Sequence, residues 1–181
     1  GMPLAVLKDE SERKEYLKSL FETTYFKDIV ERNKLRKSSS LEELCNILSE
    51  GTGTLLNAER ISNTFQSVKH EKLEAQTVEK YIGYFMDAFI LKEARRFDLK
   101  GRAEIGALRK YYFTDTGLRN ARLNFAFPDE GQMLENIVYN ELIYNGYTVN
   151  VGTFDSIQKN GQGESIRTSS EVDFFARKEN R

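Results

Sequence analysis

The sequence predicts an α+β protein with its helices first and its strands late. Three observations lead there. Apolar residues recur at three- and four-residue steps across 9–33, 41–48, 61–68 and 76–89, the period of amphipathic helices. Between residues 89 and 114 the pattern shifts to apolar and aromatic residues set among charges, around a Lys100-Gly101-Arg102 turn. After Pro128 a fresh helical pattern is followed by two strand-like stretches, 147–151 and 171–176.

The first helix carries Tyr16, Leu17, Leu20, Phe21, Phe26, Ile29 and Val30. A polar break, Lys37-Ser38-Ser39-Ser40, precedes Leu41-Glu42-Glu43, where Ser40 and Glu43 have capping-box spacing. Leu41, Leu44, Cys45 and Leu48 form a short apolar stripe that Gly51 and Gly53 end. Cys45 on this stripe reads as a small core residue. Asn57 is placed to cap a helix carrying Ile61, Phe65 and Val68. A charged connector leads to a third helix from about Gln76 to Phe89, with Val78, Ile82, Phe85, Met86 and Phe89 on one face. Strands at 89–99 and 109–114 follow, and Asp115 caps a short helix at 116–120. Three helices and a two-stranded ribbon are the pattern of a winged helix. Beyond Pro128, residues 132–145 place Leu134, Ile137, Val138 and Leu142 on one helical side, which predicts their burial. Asn160-Gly161 is a hairpin signal between the last two strands.

Composition narrows the function. Lys and Arg number 27, Asp and Glu 28, for a net charge of −1. A globally basic nucleic-acid binder is excluded, a local basic patch is not. The single cysteine excludes an internal disulfide and fits a reducing, cytoplasmic setting. The single histidine, His70, stands in a charged stretch and is a poor nucleophile partner or zinc ligand. No glycine is followed by lysine, so the usual P-loop for ATP is missing. No apolar run is long enough to span a membrane.

Two groups of residues could carry chemistry. The ribbon holds Lys92, Arg95, Arg96, Lys100, Arg102, Arg109 and Lys110 against three acids, Glu93, Asp98 and Glu104. Such a patch can neutralise phosphates. The preceding helix instead exposes Glu79, Lys80, Tyr84 and Asp87, a poor set for reading bases. The second group is Glu135, Glu141, Glu171 and Asp173. A helix acid and a strand acid can hold a hard cation such as Mg²⁺, although acids on helices are usually solvated. Glu171 and Asp173, two apart, share a strand face opposite Val172, Phe174 and Ala176. A nuclease of this layout also needs a lysine from the next strand, and no such strand follows. The bare outer side of the 171–176 strand invites pairing with another chain.

Several blocks together carry a resemblance. They are residues 26–36, Ile61-Ser62-Asn63-Thr64, residues 77–82 and 96–101, Lys110-Tyr111-Tyr112-Phe113-Thr114-Asp115-Thr116-Gly117-Leu118-Arg119-Asn120-Ala121, residues 134–142, Gly146-Tyr147-Thr148-Val149, and Glu171-Val172-Asp173-Phe174. In this order they resemble the C-terminal region of a large prokaryotic family of AAA-type P-loop ATPases, a region of unknown function. The resemblance implies a helical lead-in over 1–36, a winged-helix-like domain over 37–127, and a truncated α/β unit over 128–181 similar to restriction endonucleases of the PD-(D/E)XK class. It implies that Glu135 and Asp173 match the helix and strand acids of that fold as vestigial catalytic positions. It also implies that ATP and Mg belong to an N-terminal ATPase domain outside this chain, either because the chain is a fragment or because the reading frame is truncated. The expectation is a non-catalytic module without cofactor of its own, docking DNA or a protein partner and its own ATPase domain, with homo-oligomerisation possible and no membrane. A metal-dependent nuclease, or a pure protein-interaction module, is the alternative.

Overall fold

A computed structural model describes residues 2–35, 39–69, 72–126, 129–159 and 165–178. The fold is mixed α+β. Helices α1 (Pro3–Val6), α2 (Glu10–Leu20), α3 (Lys27–Arg32), α4 (Ser39–Glu50), α5 (Ala58–Thr64) and α6 (Ala75–Asp87) come first. Strands β1 (Leu91–Asp98) and β2 (Ala103–Phe113), helices α7 (Thr116–Arg122) and α8 (Glu130–Tyr144), and strands β3 (Thr148–Lys159) and β4 (Ser165–Arg177) follow. No helix among the described residues is long and apolar enough to cross a membrane. His70, Pro128 and the Asn160-Gly161 turn lie outside the described residues, as does the residue preceding Ser39, where α4 begins.

Side-chain caps set the helix starts. Asp9 accepts a hydrogen bond from the Glu12 amide, Asn57 from Arg60, Asp115 from Leu118 and Asp129 from Gln132, at 2.8–3.1 Å. Between α2 and α3 the chain stays helical but widens to a π-helix over Phe21–Phe26. The wider turn suits the sequence. Phe21 and Phe26 are five apart, which an α-helix would place on different sides. The wider turn buries both and stacks their rings at 6.4 Å. A second π segment, Phe65–Lys69, continues α5.

The helical core gathers Leu17, Phe21, Ile29, Leu41, Leu44, Cys45, Leu48, Ile61, Phe65, Val78, Ile82 and Phe85. Cys45 is fully enclosed, and burial pushes its thiol up to about 12. Phe89 departs from the expected face. It stands 77% exposed with φ 56°, just past α6. Its amide donates to Met86 O, and the next amide, from Ile90, reaches back to Phe85 O. This is a Schellman-type helix end, a position that favours glycine because a Cβ is strained there. Phe89→Gly is expected to stabilise the protein by about 1 kcal/mol, read as a rise in the thermal or denaturant midpoint. An unchanged or lower midpoint would show that the exposed ring contributes contacts of its own.

The four strands form one sheet in the order β2-β1-β3-β4. The β1–β2 and β3–β4 pairs are antiparallel, as expected. The β1–β3 pair is parallel, joining Arg96, Phe97 and Asp98 to Val151, Gly152 and Thr153. The boundary expected at Pro128 therefore falls inside a single sheet. Helices α7 and α8 supply the crossover that a parallel pair requires, and a pairing between distant segments leaves no local trace in sequence.

The two edges of this sheet differ. The outer side of β2 is closed over its second half, at Arg109, Tyr111 and Phe113. Leu56 exchanges both backbone hydrogen bonds with Arg109 at 2.8 and 2.9 Å, and the Gly53 amide donates to Tyr111 O. At Phe113 the Asn136 side chain acts as a substitute strand. Its Oδ1 accepts from the Phe113 amide at 3.0 Å and its Nδ2 donates to the Phe113 carbonyl at 2.7 Å. Strand β4 has no such cover among the described residues.

Helix α8 faces the opposite way from its apolar stripe. Leu134, Ile137 and Val138 are 64%, 48% and 38% exposed, while Asn136 and Tyr139 are buried. The expectation that the apolar side is buried is thus overturned for these three, whereas Leu142 is partly buried against the second core cluster. The reason lies in what α8 packs against: the end of β2, whose backbone needs hydrogen bonds, and the Tyr112 ring, which stacks on Tyr139 at 4.1 Å. Asn136 and Asn140 meet the first need and Tyr139 the second.

Candidate functional site

The residues that converge most tightly lie between β2, α8 and β4. Lys110 on β2 is only 3% exposed. Its ammonium contacts Glu135 Oε1 at 3.0 Å, Glu171 Oε1 at 2.8 Å and Asp173 Oδ1 at 3.1 Å. Burial alone would lower the pKa of this ammonium. The carboxylates of Glu171, Glu135 and Asp173 outweigh it and raise the pKa above its ordinary value. Lys110 is therefore charged, and formally it stands against three carboxylates.

The surroundings fix Glu135. The Tyr112 hydroxyl donates to its Oε1 at 2.6 Å, and burial followed by this carboxylate holds the phenol far above its usual range. Gly53, at φ +75°, lies against the same carboxylate, and a Cβ there would come within 3.1 Å of Glu135 Oε1. A side chain at Gly53 would both strain the backbone and displace Glu135.

A bulge in β4 shapes the other wall. Asn150 pairs with Phe175 and Gly152 with Val172, so β4 carries one extra residue between them. The expected alternation from Glu171 to Ala176 is broken there. Phe174 faces Tyr112 and Tyr139 on the side where Glu171 and Asp173 reach Lys110. Phe175 turns to the other side, stacked on Phe97 at 4.8 Å. Glu135, Glu171 and Asp173 are thus brought together, whereas Glu141 lies on the outward side of α8, lining a groove there.

Two arginines of the basic ribbon are paired with carboxylates of the ribbon and of α6. Arg109 pairs with Glu79 at 3.1 Å and Glu93 at 3.2 Å. Arg95 pairs with Glu93 at 2.7 Å and Glu104 at 3.5 Å. Lys110, enclosed by its carboxylates, is not presented for a phosphate. Arg96 has a buried Nε without a hydrogen-bond partner among the described residues, Lys92 is half-buried, and Lys100 and Arg102 are exposed at the turn. Sequence reading missed Glu79 as a partner, Tyr112 and Gly53 as supports of Glu135, and Lys110 as the centre of the acids. The available signal was the period of two that puts Lys110 and Tyr112 on one strand face.

The cavity of about 560 Å³ between α4, α7 and the start of α8 lies elsewhere. Arg119 borders it, buried and donating to Ser49 O, Asn120 Oδ1 and Gln132 Oε1. Ser49 O belongs to the last turn of α4, so the guanidinium faces the negative end of a helix. Among the described residues, no group of three or more histidine, cysteine or acidic side chains is spaced to hold a metal ion.

Comparison with known proteins adds relatives but no activity. An uncharacterized protein of Haemophilus influenzae is 30% identical over 178 residues, covering 98% of this chain and 41% of that protein. An uncharacterized protein of Methanocaldococcus jannaschii is 29% identical over 182 residues, covering 100% of this chain and 38% of that protein. The chain thus spans about two-fifths of the length of these relatives. No solved structure matches. The pattern of the domain of unknown function DUF8612 matches residues 1–129, and the chain belongs to that family.

Proposed function

We propose that this chain is a non-catalytic, cytoplasmic module, the C-terminal part of an AAA-type ATPase, that docks a partner rather than transforming a substrate. In this reading ATP and Mg are handled by a part of the polypeptide outside the chain. Helices α4 to α6 followed by the β1–β2 ribbon support a winged-helix-like docking unit. One observation carries the non-catalytic reading: Glu135, Glu171 and Asp173 are engaged by the Lys110 ammonium at 2.8–3.1 Å. The pairing of Arg95 and Arg109 with Glu79, Glu93 and Glu104 favours a protein partner over a nucleic acid.

A second reading rests on the same lysine. Lys110 arrives from β2 beside Glu135 and Asp173, where a metal-dependent nuclease would need a lysine near its acids. A cleavage assay decides between them, and ATP calorimetry and DNA titration test the docking reading further. The purified chain is expected to leave single- and double-stranded DNA intact with Mg²⁺ or Mn²⁺, and to show no heat of ATP binding. Any DNA binding is expected to be weak and steeply salt-dependent, and to weaken when Arg95, Arg96 and Arg102 are replaced by Ala. Metal-dependent cleavage that disappears in both Asp173→Ala and Lys110→Met would establish the nuclease reading instead.

A further inference from the structure

The outward side of α8 and the open edge of β4 form a continuous surface. Ile137 and Val138 border a groove of about 400 Å³ with Glu141, Leu142, Tyr147 and Lys178. Lys178 immediately follows β4, so the groove runs up to the strand whose outer side has no partner among the described residues. Val172, on that strand but on the sheet face away from α8, is 41% exposed beside the same edge. Proteins ordinarily cover or charge such an edge, and β2 in this same sheet is covered at three successive outward positions.

Three features point to the occupant. A net charge of −1 opposes no approach between identical chains. The groove sets one carboxylate, Glu141, on its helix wall and one ammonium, Lys178, on its strand wall. A two-fold axis would therefore bring the acid of each copy to the base of the other. Finally, an antiparallel edge strand is its own complement about such an axis.

We propose that this surface is the interface between two copies of the chain. Strand β4 pairs antiparallel with its counterpart into a continuous sheet, and the outward faces of the two α8 helices close over Ile137 and Val138. This inference rests on the docking reading above.

The test is sedimentation equilibrium over a broad micromolar range. The wild-type chain is expected to be a concentration-dependent dimer. Ile137→Glu and Val172→Lys, both at exposed positions, are each expected to weaken it at least about tenfold with an unchanged circular dichroism spectrum. Glu141→Lys and Lys178→Glu should each weaken it too, and their combination should restore it. A monomer throughout the range, or a dimer indifferent to both Ile137→Glu and Val172→Lys, overturns the proposal. The two readings fail separately: a monomer that cleaves no DNA leaves docking intact, whereas a dimer that cleaves DNA removes docking as the function and keeps the interface.

Discussion

Lys110→Met is expected to lower the stability of the fold by about 3 kcal/mol, at the lower end for removing one partner of a buried ion pair. The lower end applies because Glu171 and Asp173 are 37% and 63% exposed and water screens part of their charge. In a chain of this length that loss corresponds to a fall of roughly 6–12 °C in the melting temperature. The cause is not the lost hydrogen bonds alone. Without the ammonium, three carboxylates face one another, and Glu135 has only the Tyr112 hydroxyl left. Removing one of these charges relieves that repulsion. Adding Glu171→Gln to Lys110→Met should therefore recover part of the loss, a coupling that a double-mutant cycle measures.

In the wild-type protein the pairing has an upper pH limit. The folded-state pKa of Lys110 is raised above 10.5. Its contribution is therefore complete below about 10.5 and is lost as pH rises through the higher folded value. Chemical denaturation across pH reads both effects. A loss under about 1 kcal/mol with no pH dependence would mean that the carboxylates are solvated and the cluster is not a structural unit.

Much of the helical half was legible because its signals are local. Asn57 and Asp115 cap where their positions suggested, and Leu41, Leu44, Cys45 and Leu48 form a buried stripe. Even the π-helix left a mark, the five-residue step from Phe21 to Phe26. The sheet was legible only in part. The pairing of β1 with β3 joins residues more than fifty positions apart, and periodicity carries no record of such a contact. The centre of the candidate site was hidden for the same reason, although Glu135 and Asp173 were legible as a pair. Lys110 meets Glu135 and Asp173 across separations of 25 and 63 residues. Viewed along the chain, Lys110 is simply one more base in a basic ribbon. Its charge reads as a phosphate contact only while its burial is unknown.

The face of α8 misled for a different reason, and Asn136 shows why. Hydrophobic periodicity assumes that what is buried is apolar, but α8 buries what the end of β2 requires. Asn136→Ala is expected to cost about 1–3 kcal/mol, the range for leaving a buried backbone group without a partner. The Phe113 amide loses its acceptor outright, while the Phe113 carbonyl keeps Asn140 Nδ2 at 2.9 Å. The damage should therefore concentrate on the donor. Amide exchange at Phe113 should accelerate well beyond that at its neighbours. Asn136→Asp separates the two halves of the interaction. It keeps an acceptor for the Phe113 amide but introduces a charge at a fully buried position. It should be the more damaging substitution at neutral pH, and should recover as acid returns the side chain to a neutral form. Loss of Asn136 would also open the Phe113 end of the β2 edge, since the Leu56 and Gly53 contacts end before Phe113. Asn136→Ala should then associate through β2 as well as β4, so combining it with Val172→Lys should no longer yield a clean monomer. A fully monomeric double variant with wild-type exchange at Phe113 would show that Asn136 is not what closes this edge.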